Sequence, residues 1–94
     1  MAVVKQTHTR PSTDVEWYPV SDVEKTHINE TYSDLVYDSY IEDEQLSLVK
    51  TRTGSIEDCQ RFYNELQDST NTIFQARRKY HEDNSITYTI ELIE

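Results

Sequence analysis

Ninety-four residues, only 35% of them apolar, describe a single small domain (1–94) with a modest core. The formal charge of −9 argues against nucleic-acid binding through the general surface, because phosphate affinity rests on Lys and Arg. No apolar run approaches the ~18–20 residues of a membrane span. No signal-peptide core stands near the start, and a lone cysteine, Cys59, leaves no internal disulfide.

The charge is unevenly placed. Ten of the eighteen acids fall between Asp14 and Glu44, against Lys25 alone, and the remaining acids and bases cancel. Seven tyrosines, two phenylalanines and one tryptophan offset the shortage of aliphatic residues, since each aromatic buries about 150–250 Å².

Ala2–Arg10 (AVVKQTHTR) is β-branched and stops at Pro11, which predicts a strand at or near an edge. Pro11–Val20 reads as a loop carrying Trp17 and Tyr18, which either lid the core or meet a partner. Ser21 and Glu24 form an S-x-x-E capping box and predict a helix over Asp22–Tyr32, facing inward with Val23, His27 or Ile28, and Thr31. Leu35–Ile41 and Gln45–Thr53 alternate as two strands of a hairpin. The acids Glu42, Asp43 and Glu44 form its turn, without the usual glycine or Asn-Gly signal.

Gly54 ends that strand and Ser55 caps the next helix, whose Ile56, Cys59, Phe62 and Leu66 recur at helical spacing. Asp68–Asn71 interrupts it. A second helix from about Thr72 carries Ile73, Phe74, Ala76 and Tyr80, and Arg77, Arg78, Lys79 and His81 suit its C-terminus. Asn84 is a plausible left-handed stop. Ser85–Ile93 (SITYTIELI) alternates throughout and is the clearest strand. The expected fold is α+β: a ferredoxin-like split βαβ (β-α-β-β-α-α-β), with a four-stranded antiparallel sheet and helices on one face.

Three histidines and one cysteine at no ligand spacing point to no metal site, a single glycine permits no phosphate loop, and no local pattern marks a catalytic set. No cofactor and no enzymatic activity are expected. The acidic third is also aromatic, and such residues make interface hot spots that select a basic partner. The candidate partner-binding residues are Trp17, Tyr18, Tyr32, Tyr37, Tyr40, Glu42, Asp43 and Glu44.

The opening VVKQTHTRPSTDVEWY, above all Thr9-Arg10-Pro11-Ser12-Thr13-Asp14-Val15, resembles that of small proteins of tailed, myovirus-type bacteriophages. Ser55–Phe62 and Tyr80–Thr87 are similar to their second half, which also resembles the dimeric α/β-barrel group. This likeness implies a non-enzymatic protein acting by contact with virion proteins or a second copy, located in the virion or host cytoplasm. It implies a homo-oligomer without direct nucleic-acid or membrane contact. Two alternatives stand beside it. One is an acidic inhibitor of a host nucleic-acid-binding or defence protein. The other is a small dimeric-barrel monooxygenase with a pocket lined by His27, Tyr32, Tyr37 and Phe62.

Overall fold

A computed structural model describes residues 1–94. In chain order the elements are β1 (Ala2–Thr9), α1 (Asp22–Thr31), β2 (Val36–Glu42), β3 (Ser47–Gly54), α2 (Ile56–Gln67), α3 (Gln75–Asp83) and β4 (Thr87–Ile93). The fold is α+β, with three helices and one four-stranded sheet in the order β2-β3-β1-β4, every neighbouring pair antiparallel. Each helical connection passes over one intervening strand.

Strand alternation divides the sheet cleanly. On β1, Ala2, Val4, Gln6 and His8 are buried beneath the helices, while Val3, Lys5 and Thr7 face the other way. The core joins Val4 to Ile28, Tyr32, Leu35, Cys59, Phe62, Leu66 and Phe74, with Ile90 and Leu92 packed alongside. Cys59, Phe62 and Leu66 therefore face inward at the expected spacing. Ile56 does not: it begins α2 and is exposed.

Gly54 is the last residue of β3, and its importance is space rather than a strand break. A Cβ there would meet Leu35 Cδ2 at 2.5 Å, so the bare backbone lets the segment before β2 pack against the end of β3. The hairpin between β2 and β3 turns without glycine. Asp43, Glu44 and Gln45 all take positive φ, at 49°, 55° and 75°, a conformation costing roughly 1–2 kcal/mol for an L-residue. Neighbours hold it: Leu46 N–H donates to Asp43 O (3.0 Å) and Ser47 Oγ to Asp43 Oδ2 (3.2 Å). The Arg10 guanidinium grips Gln45 O twice, at 2.9 and 2.7 Å. The left-handed stop after α3 falls one residue later than expected. Asn84 keeps φ −106°, and Ser85 is the left-handed residue.

Helix α1 differs most from its expected face. Ser21 Oγ accepts from Glu24 N–H as the capping box requires (3.2 Å). The inward stripe is nevertheless Glu24, Ile28 and Tyr32, and Val23 is 65% exposed. The reason is that the interior beneath α1 is polar, so a carboxylate fits there better than a valine. While α2 approaches β1, β3 and β4 to within 8 Å between Cα atoms, α1 approaches no strand that closely.

Candidate functional site

The polar interior begins on α3. Phe74, Arg77 and His81 lie three and four residues apart, so one face of the helix carries all three inward, and each is buried. The sequence assigns Arg77 to a helix-end run with Arg78 and Lys79, but the structure separates them. Lys79 is exposed. Arg78 donates to the carbonyls of Leu66, Asp68 and Asn71, closing the break between α2 and α3. Arg77 is 3% exposed and enters the core.

Arg77 joins four elements there. Its Nη1 donates to Gln6 Oε1 of β1 (2.7 Å) and to Tyr88 OH of β4 (3.3 Å), while Tyr88 OH donates to the same Gln6 oxygen (2.5 Å). Its Nε lies 3.1 Å from Glu24 Oε1 of α1, an ion pair in which neither side chain is solvated. The alignment is poor enough that both Glu24 oxygens lack a hydrogen bond. A buried charge survives only when compensated, so this pair fixes α1 over the sheet.

Between α1, β2 and β3 lies a cavity of about 250 Å³. Lys25, Lys50, Arg52 and Arg77 bring four cations to it, Gln6 and Asn29 two amides, and Val20, Ile28 and Tyr37 an apolar wall. No carboxylate lines it, and the nearest compensation is Glu24 through Arg77. Lys25, Lys50 and Arg52 have no carboxylate within 4.0 Å. Burial first, then the Arg77 charge, lowers the Lys50 ammonium to about 8, against an ordinary lysine near 10.5. Burial also lowers Arg52, whose guanidinium sits 4.8 Å over the Tyr37 ring. Chemically this is a desolvated, positively charged pocket with one apolar side, suited to an anion.

Behind it, His8, His81 and Tyr88 stack with ring centroids 4.8–5.3 Å apart. Burial, and then the Lys50 charge, lowers His8 to about 3. Burial, and then Arg77, lowers His81 to about 4. Both are neutral core groups. His8 donates from Nδ1 to Leu48 O at 3.2 Å in its neutral form.

The residues expected to bind a partner fall into three places. Tyr32 is 2% exposed and leaves the surface altogether, because its ring packs on Phe62 and its OH donates to Glu65 Oε2. Trp17 lies under the Arg10 guanidinium (4.4 Å), and Tyr18 packs on Tyr80, so both secure the loop before α1 and are half-buried. Tyr37, Tyr40, Glu42, Asp43 and Glu44 remain exposed on the β2 hairpin, but Tyr37 and Tyr40 lie on opposite faces of the sheet. The pocket expected from His27, Tyr32, Tyr37 and Phe62 is not formed. Tyr32 and Phe62 fill the core, His27 pairs with Glu65, and only Tyr37 reaches the cavity. Sequence reasoning missed Gln6, Lys50, Arg52 and Arg77. The available signal was the 74–77–81 spacing, which places Arg77 on the buried face of α3.

No family model, no curated protein and no solved structure matches the chain.

The two histidines give a pH dependence of defined sign. Their folded values lie below the unfolded value of 6.5, so stability is full above pH 6.5 and falls as protons bind the unfolded chain below it. Urea unfolding at pH 5 should show a loss of up to about 2 kcal/mol per histidine relative to pH 7. His81→Gln should reduce that loss by about half, and an unchanged pH slope would contradict the assignment.

Proposed function

We propose that this protein binds a small anion, with a phosphate or carboxylate group held in the cavity between α1 and the sheet. One observation carries the reading. Four of the nine Lys and Arg residues of a chain with charge −9 line a single cavity, and three of them have no carboxylate partner. With eighteen acids available, leaving two desolvated cations, Lys50 and Arg52, unpaired is costly to the empty fold. An anion offsets that cost: the guanidinium fork of Arg52 suits a planar carboxylate or a phosphate, and Arg77 adds its charge from behind. The apolar wall of Val20, Ile28 and Tyr37 would take the organic part of a ligand. The volume is slightly below the ~300 Å³ of common drug-sized sites, which favours a compact molecule. The sheet order and the two crossovers, each straddling one strand, support a ferredoxin-like assignment of the fold.

Inorganic phosphate at a hundred times its Kd should stabilise the protein by about 2.7 kcal/mol in urea unfolding, relative to chloride of equal ionic strength. Lys50→Gln and Arg52→Gln should lose that gain, and Arg61→Gln, on the exposed side of α2, should keep it. Equal phosphate effects in all four proteins would refute the site.

A second reading, contact with another copy of the chain, is favoured by β2, whose seven residues are all exposed. Val36 (67%), Tyr40 (42%) and Ile93 (47%) lie on the sheet face that no helix covers. In this reading the protein acts by non-enzymatic contact, the role implied by the phage-like opening. Light scattering should then report a dimer that Tyr40→Asp converts to a monomer. A wild-type monomer at high concentration would exclude it.

A further inference from the structure

Building on the anion site proposed above, we propose that Lys50 is a nucleophilic amine that condenses with the carbonyl carbon of a small 2-oxo acid whose carboxylate occupies the cavity.

The placement supports it. Lys50 lies on central strand β3, directly opposite Gln6 on β1 and two residues before Arg52 on the same face. Lys50 lines the cavity, and its amine has no ion pair. Arg52, two residues along the same strand face, lines the same space, with the Arg77 charge behind it, so a carboxylate gripped by Arg52 sets the adjoining carbonyl beside the amine. In a 2-oxo acid these two carbons are bonded directly. That matches a site whose carboxylate receptor and amine are neighbours.

The reactivity follows from the environment. An amine attacks only as the free base, and desolvation beside other cations is a recognised way to expose it at neutral pH. With Lys50 lowered to about 8, roughly a quarter of the amine is unprotonated at pH 7.5, against about 0.1% for an ordinary lysine. The other lysines lack this setting. Lys5 lies on the opposite sheet face, Lys79 is exposed and paired with Asp83 at 3.2 Å, and Lys25 is exposed at the rim.

The step balances without an oxidant or reductant. The Lys50 nitrogen bonds to the carbonyl carbon, giving a carbinolamine. Its hydroxyl takes a proton and leaves as water while the nitrogen gives one up, so the C=O and two N–H bonds become a C=N bond and one water. The positively charged surroundings favour the neutral imine and keep the carboxylate in place.

The full chain incubated with glyoxylate and sodium cyanoborohydride at pH 7.5 should carry the reduced adduct at Lys50 at least tenfold above Lys5 or Lys79, by peptide mass mapping. Inorganic phosphate and Arg52→Gln should each reduce Lys50 labelling severalfold. Propanal, which lacks the carboxylate, should label Lys50 with much less preference. Lys50→Arg should abolish the adduct while still binding phosphate. Equal labelling of all four lysines, or none at Lys50, would overturn the inference. If phosphate binding persists in that case, the anion site stands and only the amine chemistry falls; if phosphate fails to bind as well, both fall.

Discussion

The structure depends on one buried guanidinium. Arg77 enters the core from α3 and binds Gln6 on β1, Tyr88 on β4 and Glu24 on α1, so two helices and two strands meet on a single charge. Removing one member of such a pair leaves an uncompensated buried charge, at a cost of about 3–5 kcal/mol. That is comparable to much of the total stability of a small domain. A chain with so few apolar residues thus holds its first helix by charge and hydrogen bonding as well as by the buried Ile28 and Tyr32.

Placing a charge there determines what surrounds it. The Arg77 field helps keep His8 and His81 neutral and lowers Lys50. Glu24 compensates one cation only, while Lys25, Lys50 and Arg52 stand around the same space without carboxylates. Helix α1 stays farther from the strands than α2 does, and the cavity lies in that gap. Apart from Glu24, the acids of α1, β2 and the hairpin sit on the surface, whereas Lys50, Arg52 and Arg77 lie partly or wholly beneath α1.

Much of the fold was legible in the sequence because period and punctuation agree with it. The alternation of β4, the Ser55 cap and the Cys59–Phe62–Leu66 stripe all follow local rules. The face of α1 was not legible, since hydropathy brings Val23 inward and Glu24 outward, and only the distant Arg77 reverses them. The capping box is likewise half real: Ser21 caps Glu24 N–H, but the Glu24 side chain turns inward to Arg77. The glycine-free hairpin is held by Arg10, 35 residues away in sequence. The cavity was the least legible feature. Its cations come from α1, β3 and α3, and each alone resembles an ordinary surface residue.

The proposed anion site rests on desolvated cations in the cavity whose charge a bound anion would balance. Titrating the Lys50 side chain by NMR, with and without inorganic phosphate, tests it most directly. A value of about 8 is expected without phosphate, rising when phosphate binds because the anion favours the ammonium form. A value near 10.5 that ignores phosphate would contradict it.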